Sequence, residues 1–438
     1  MTLILHESCT SRLTQALTTI ISQLRVEHGK FIVRRGSLTA FEAAERVLPV
    51  KGGPRTQLGQ YVDFDRPLTE FVLDTLSNEL SELPFTDVEW QPLTEIDGYA
   101  DCQAVARRLV ECLTSLPKKY TLSFPLPSGL SDILGDDVKV ELSSKVRIVR
   151  EGEALSAQYP PTKVDGLGPG ALSMGILGAL GTGWLSSVNW TKDGLYLQVD
   201  VDGHIGPYGG SNPHLEAVRV LRAFCGLGLA LGLFEINSVY LSQSPPSDVR
   251  VHRQEPDGLF VPVRVISLDD GISRTVKRIA LSAYVSSLDG DVKRAALGAA
   301  LLGLMRVVFL GGKKADQIFL AAQWFFDGYS QGPDQLLQFI QTMVVLEILL
   351  GDKASSDQTG LNVLLRNRCA YLIGNSQEDR AELLEWFQKI YDVRSKIVHS
   401  GKHWLSASEF ELFARLRWIC RRVIRKEIDL LRANEGSK

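Results

Sequence analysis

The spacing of apolar positions separates a mixed N-terminal region from a helical C-terminal region. Apolar residues recur every three or four positions in three early segments, which predicts amphipathic helices at 12–26, 68–80 and 102–116. Apolar and polar residues alternate in three others, which predicts strands at 120–126, 138–149 and 194–202. From Ile272 the helical period returns. We therefore predict an α+β region followed by an all-α bundle.

Length and turn residues refine this division. At 438 residues the chain is long enough for two or more domains. Proline and glycine cluster at 159–170, which predicts a loop and a candidate subdivision. The segment 311–317 is a predicted joint between helices. We expect a mixed sensor or regulatory region over 1–310 and a helical domain over 311–438.

Cysteine usage and hydropathy bear on the compartment. The six cysteines are scattered and form neither a Cys-x-x-Cys pair nor a zinc-type cluster, which argues against a disulfide framework and a structural metal. The N-terminus lacks the pattern of a signal peptide. The apolar stretch 171–185 is too short to span a membrane, and the stretch 295–312 contains Arg306, so both are predicted to be buried helices. We expect a cytoplasmic protein without cofactor or membrane partner.

Charge is unevenly distributed along the chain. Residues 361–438 contain 15 Lys and Arg against 10 Asp and Glu, whereas the whole chain has a net charge of −3. The cations of the last helix could attract a phosphate backbone, and they could equally form a solvated helix face paired with its acids. We take Lys402, Arg421 and Arg425 as the candidate RNA-binding residues.

One polar helix edge near the C-terminus contains the best candidate chemistry. An apolar stripe turns Asp392, Ser395, Lys396 and His399 toward another side of the helix, and it consists of Leu383, Trp386, Ile390, Val393 and Ile397. Gly401 is expected to end the helix just past His399. The imidazole then lies in the last turn, where the helix dipole favours its protonated form. Such a histidine can hold or release a proton near neutral pH.

This segment and its flanks resemble the Apea-like branch of the HEPN families, in which an Arg-x4-His pair is the RNA-cutting motif. The resemblance covers about the last quarter of the chain: a helix at 334–350 with "VVLEILLG", the segment "LLRNRCAYLIG" at 364–374, and "YDVRSKIVHSG" at 391–401. It implies that Arg394 and His399 are catalytic. Many HEPN nucleases have Asn, Asp or His directly after the arginine, whereas this chain has Ser395, which can hydrogen-bond but has no charge.

Glu347 falls on the apolar stripe of the helix at 334–350, so its carboxylate needs a cationic partner. Arg366, Arg368 and Arg394 are the candidates. By the resemblance, an acid near this place orients the motif arginine, and a purely structural ion pair is the alternative. We assign Glu347, Asp392, Ser395 and Lys396 as site-supporting residues.

The chemistry expected of Arg394 and His399 is metal-independent RNA cleavage that leaves a 2′,3′-cyclic phosphate. The resemblance implies a homodimer with a composite cleft, a role as a toxin in antiphage defence, and host tRNA, mRNA or phage RNA as substrate, with a phage-derived trigger. A catalytically silent HEPN scaffold for dimerisation or RNA binding is the first alternative.

A metal-dependent hydrolase is the second alternative. Asp200, Asp202 and His204 follow one another at the alternating positions of a predicted strand, so their side chains would lie on one face and could bind a divalent ion. The other interpretation is the solvated face of a strand that runs into a turn.

Overall fold

The computed structural model describes residues 3–33, 37–48, 53–63, 65–135, 137–161, 190, 194–206, 211–237, 248–330, 334–352, 360–399 and 401–435. The helices are α1 (Glu7–Gln23), α2 (Leu38–Glu45), α3 (Pro54–Tyr61), α4 (Pro67–Ser81), α5 (Cys102–Thr114), α6 (Glu153–Gln158), α7 (Asn212–Leu231), α8 (Asp270–Lys277), α9 (Ala283–Ser286), α10 (Asp291–Phe309), α11 (Lys313–Ser330), α12 (Gln335–Leu350), α13 (Leu361–Ile373), α14 (Gln377–His399) and α15 (Ala407–Glu435). The strands are β1 (Arg25–Glu27), β2 (Phe31–Val33), β3 (Gln91–Pro92), β4 (Lys118–Leu126), β5 (Lys139–Glu141), β6 (Val146–Arg150), β7 (Leu195–Gly203), β8 (Phe234–Ile236), β9 (Asp248–Gln254), β10 (Phe260–Ser267) and β11 (Ile279–Leu281). Short 3-10 helices lie at Leu93–Glu95 and Ser128–Leu134.

The first hydrophobic core is built by residues 3–116. Its helices α1, α4 and α5 bury their apolar stripes together, next to a small antiparallel sheet of order β2-β1-β3. Leu13, Leu17 and Ile20 of α1 are almost fully inaccessible to solvent. Their spacing of three and four residues is the helical period on which the prediction rested.

A six-stranded sheet of order β10-β9-β4-β7-β6-β5 forms the centre of the protein, and each neighbouring pair is antiparallel. Leu122, Phe124, Leu197 and Val199 alternate along β4 and β7 and belong to the second core, in which α7 packs on this sheet. The other face of the same strands is polar.

The second core continues from this sheet into the C-terminal helices and includes residues from Tyr120 to Ile428. The helix α11 contacts both α7 and α12, and the long α15 lies against α7 and α10 to α14. An α+β region followed by helices is thus confirmed. Hydrophobic packing runs across residue 310 without a break, and a domain boundary at that residue stays a prediction.

Most predicted elements are confirmed with shifts at their ends, but the single strand predicted at 138–149 is an antiparallel hairpin of β5 and β6, with residues 142–145 between the two strands. The 3-10 helix at Ser128–Leu134, the strands β9 and β10 and the helices α2 and α3 were not predicted, although Val249 and Val251 alternate with Arg250 and His252 in β9. Pro262 lies within β10, which is an edge strand of the sheet, where a missing N–H is tolerated.

The two apolar stretches that were predicted to be buried helices, 171–185 and 295–312, differ in how far the structure tests them. Helix α10 covers most of 295–312, but Arg306 is exposed and only one side of the helix is buried. The stretch 171–185 and most of the predicted loop at 159–170 lie outside the described residues. No single described helix is long and apolar enough to cross a membrane, although α10 and α11, bent by 116° at their junction, meet the length and composition requirements together.

Replacing Gly226 of α7 by alanine should destabilise the fold. A Cβ atom there would lie 1.9 Å from the carbonyl oxygen of Ala322 in α11, so the two helices would have to separate. We expect the free energy of unfolding to fall by about 1–3 kcal/mol in urea titrations. Gly303→Ala in α10 is the control, because a Cβ there meets no atom within 4 Å, and it should be neutral or stabilising by about 0.5–1 kcal/mol. Equal stability of both variants would contradict this packing.

Candidate active site

The motif helix α14 has the predicted orientation. Leu383, Ile390 and Val393 are buried, and Trp386 is half-buried against Trp418 of α15, with ring centroids 6.1 Å apart. The helix ends at His399 as predicted. Gly401 follows with a φ of +62°, which suits the residue after a helix C-terminus.

Arg394 points toward α12. Its Nη2 atom lies 3.6 Å from Oε1 of Glu347, and both side chains are 26% exposed. The guanidinium also lies 5.9 Å from the ring centroid of Tyr391. Of the three candidate partners for Glu347, the structure selects Arg394. A partly exposed ion pair contributes at most about 1 kcal/mol, so its main consequence is to orient the guanidinium.

His399 lies on a different side of the helix. On an α-helix, Gln388, Asp392, Ser395 and His399 fall on one stripe, whereas Arg394 and His399 diverge by about 140°. The imidazole is exposed and forms no hydrogen bond or ion pair with a described residue. It is therefore open to a substrate or to a partner molecule.

Asp392 belongs to a hydrogen-bonded chain on this stripe. Gln388 donates from Nε2 to Oδ1 of Asp392 over 3.0 Å, and its Oε1 accepts from Arg366 and Asn362 of α13 over 3.3 Å each. Gln388 was not among the predicted site residues, although its spacing from Asp392 and His399 is visible in the chain. Ser395 is half-buried and Lys396 is exposed. The structure thus separates Glu347 and Arg394 from the remaining supporting residues.

Lys402 contacts the start of α15 through Glu409. Its Nζ atom lies 2.8 Å from Oε2 of Glu409, which also accepts from the backbone N–H of Ser406 over 2.8 Å. The Glu409 N–H donates to the Ser406 hydroxyl over 3.4 Å, which completes a capping box. Burial raises the pKa of Glu409, but the hydrogen bonds from Lys402 and Ser406 outweigh it and lower the pKa to about 2. The ammonium of Lys402 is thus already engaged.

Arg421 and Arg425 lie away from the motif. Arg421 donates from Nε to the carbonyl oxygen of Leu229 in α7 over 2.8 Å, and Arg425 is exposed. Arg421 and Arg425 line a cleft together with Leu231 at the end of α7 and Leu297 of α10, whereas Lys402 lies just past His399. The three RNA-binding candidates do not form one patch with the motif.

The alternative interpretation of β7 as a metal site does not hold among the described residues. Arg147 binds Asp200 with both terminal nitrogens, at 2.6 and 3.1 Å, and Lys145 lies 2.9 Å from Asp202. His204 is buried beyond the end of the strand, 3.7 Å from Asp74. Among the described residues, no group of three His, Cys, Asp or Glu side chains could hold a metal ion. Neighbouring cations neutralise the two carboxylates, and the strand ends before the histidine.

Comparison with known proteins adds no family assignment. No family model matches the chain, and no curated protein or solved structure does so either. The resemblance to HEPN domains therefore rests on the Arg394–His399 motif and its flanking helices. The function of the site has to follow from the chemistry of these residues.

Replacing Glu409 by glutamine should lower stability at neutral pH by about 1 kcal/mol, because the capping hydrogen bond loses its charge. A depressed carboxyl pKa stabilises the fold above the ordinary value of 4.5, and this contribution is lost as the pH falls toward 2. The difference in unfolding free energy from the wild type should therefore shrink below pH 4.5. Glu411→Gln, on the exposed side of α15, is the matched control. A difference that stays constant on acidification would remove the proposed linkage.

Proposed function

We propose that this chain is a metal-independent endoribonuclease of the HEPN type, with Arg394 and His399 as its catalytic residues. The observation that carries the proposal is the arrangement at the end of α14, where Glu347 anchors the guanidinium and the imidazole in the last turn stays open. Ser395 and Lys396 lie beside them on the same turns. Asp392 supports the histidine side of the helix through Gln388.

The two side chains have complementary tasks in RNA cleavage. A neutral imidazole removes the proton from a ribose 2′-hydroxyl, and the resulting oxygen attacks the adjacent phosphorus. A guanidinium binds the phosphoryl oxygens as negative charge develops on them. The 5′-oxygen leaves, so the products are a 2′,3′-cyclic phosphate and a 5′-hydroxyl. DNA lacks the nucleophile and should resist.

The geometry of α14 favours a site that two protomers share. One protomer offers a single histidine, and its arginine points about 140° away around the helix. An isologous dimer through the C-terminal helices would bring two arginines and two histidines to one cleft. One imidazole can then act as base while the other protonates the leaving oxygen.

The resemblance to Apea-like proteins supports a biological setting for this activity. In that setting the chain is a toxin or effector of antiphage defence that cleaves host tRNA, mRNA or phage RNA and halts growth. Residues 1–310 would restrain the site until a phage-derived signal or partner protein arrives. An unrestrained ribonuclease would harm its own cell, which is the reason to expect such control.

A catalytically silent scaffold is the second candidate. Val398 is 49% exposed and Trp404 is 73% exposed, and both flank the loop that follows His399. Exposed apolar side chains at one helix end are typical of a contact surface. The same helices would then dimerise or bind RNA without cutting it.

Replacing either His399 or Arg394 by alanine should reduce RNA cleavage by at least about 100-fold. The protein should remain folded, because neither side chain belongs to the core. Purified protein would be incubated with total RNA in excess EDTA, and the ends would be tested for cyclic phosphate. Lys389→Ala is the control, since this exposed cation on α14 pairs only locally, with Glu385.

Full cleavage by either variant would place the active site elsewhere. A wild-type protein that binds RNA without cutting it would favour the scaffold. Strict dependence on a divalent metal would exclude the proposed chemistry.

Mixing inactive protomers should restore part of the activity. In a dimer of one His399→Ala and one Arg394→Ala chain, the shared cleft keeps one imidazole and one guanidinium. We expect cleavage to recover above the level of either variant alone, measured on the same RNA after co-expression. Absence of recovery, or light scattering that shows a fully active monomer, would contradict the composite site.

A further inference from the structure

A cleft of about 660 Å³ opens on the polar face of the six-stranded sheet, between β4, β6, β7 and α6. This face is opposite the one that packs on α7, because the residues alternate along each strand. The volume falls within the range of small-molecule sites. The cleft is thus separate from the end of α14 that carries the Arg394–His399 motif.

The floor of the cleft is a preorganised polar network. Arg147 is 8% exposed and donates to Asp200, to Oε1 of Gln198 over 2.8 Å and to the hydroxyl of Tyr159 over 2.7 Å. The Thr121 hydroxyl donates to Oδ1 of Asp200 over 2.7 Å. These contacts hold the side chains in place before a ligand arrives, which lowers the entropic cost of binding.

Several polar groups around the cleft remain available. Tyr159 accepts from Arg147, and its own hydroxyl proton has no acceptor among the described residues. Lys119 and Gln254 line the opening and make no side-chain hydrogen bond or ion pair with the described part of the chain. The opening therefore has a free cation, and the interior has a free donor.

The balance of charge in the cleft is positive. Its lining contains five cations and two acids, the cations being Lys119, Lys139, Lys145, Arg147 and Arg150 and the acids being Asp200 and Asp202. The acids are bound to Arg147 and Lys145, Lys139 pairs with Glu141, and Arg150 donates to the carbonyl oxygens of Ser131 and Gly135. Lys119, which stands opposite Asp202 in the register of β4 and β7, is then the cation without a described ion-pair partner. An anionic group would be stabilised at this end of the cleft.

The wall of the cleft is apolar and aromatic. The rings of Tyr159 and Phe260 lie 4.4 Å apart between their centroids, and Leu155 of α6 adjoins them. Tyr159 is only 2% exposed, so the partly buried ring of Phe260 is the surface on which a planar ring can stack. The cleft therefore combines a cationic opening, a hydrogen-bonding floor and an aromatic wall.

We infer that this cleft binds a mononucleotide, with its phosphate at Lys119 and its base against Phe260. Inorganic phosphate would leave the aromatic wall and most of the volume empty. A neutral nucleoside would leave Lys119 without an anion. A mononucleotide would contact all three parts of the cleft. Asp200 and Tyr159 of the polar floor would hydrogen-bond to its hydroxyl and ring atoms.

Calorimetric titration of the full chain with AMP, GMP, CMP and UMP tests this inference. At least one should bind with a dissociation constant below about 1 mM. Lys119→Gln should weaken that binding about 10-fold, since a charged hydrogen bond is lost. Lys118→Gln is the matched control, because the neighbouring side chain of the same strand does not line the cleft, and it should leave binding unchanged.

Phe260→Leu adds an independent measurement, because it removes the stacking surface and keeps the wall apolar. It should weaken nucleotide binding and leave the melting temperature of the free protein within a few degrees. The inference is overturned if none of the four nucleotides binds, if inorganic phosphate binds as tightly, or if Lys119→Gln and Lys118→Gln act alike. RNA cleavage by Arg394 and His399 does not enter this test.

Discussion

The packing of α7 between the six-stranded sheet and α11 is the contact on which the rest of the structure depends. One side of α7 covers the apolar face of β4 and β7, and the other meets α11 so closely that only a glycine fits at residue 226. Arg222 of α7 and Asp327 of α11 form an ion pair at the edge of this contact. Burial raises the pKa of Asp327, and Arg222 opposes that shift, so the carboxylate depends on its partner. Helix α11 contacts α12 and α15, and α13 and α14 pack on those two helices. The sheet is the centre of the α+β region.

This arrangement places two polar systems on opposite sides of one continuous core. The sheet has a polar outer face, where Arg147, Gln198 and Ser123 are buried and hydrogen-bonded to one another in sequence. Hydrogen bonds among these buried polar groups offset the cost of removing them from water, and the resulting network is rigid. Helix α14 has a polar edge on which His399 is exposed to solvent. The two systems therefore differ in exposure: the network on the sheet is buried, and the edge of α14 is open to solvent.

The candidate active-site residues of one chain lie on different sides of α14. Glu347 fixes Arg394 toward α12, whereas the stripe from Gln388 to His399 faces α13 and solvent. Residues five apart on one α-helix diverge by about 140°, so the two side chains leave the helix on different sides. Either a second protomer completes the site or the helix end serves as a contact surface, and the exposed Val398 and Trp404 suit both. The first of these is the proposed function.

Elements that depend on short-range periodicity could be predicted from the amino-acid pattern. The helical period of α1, α4, α5 and α14, the alternation of β4 and β7, and the end of α14 before Gly401 were all predictable, because they depend on neighbours within about one or two turns. The acidic residue on the stripe of α12 also indicated that Glu347 needs a cation. The packing of α12, α13 and α14 determines which cation pairs with Glu347. It is Arg394, and not Arg366 or Arg368, which have other partners. Partners that are distant in sequence also explain why the alternative metal site on β7 does not hold. Strand β7 places Asp200 and Asp202 on one face as expected, but Arg147 and Lys145 reach them from a neighbouring strand and its turn. These cations are distant in sequence from the acids they contact, so the pairs follow from the tertiary packing and not from local sequence patterns.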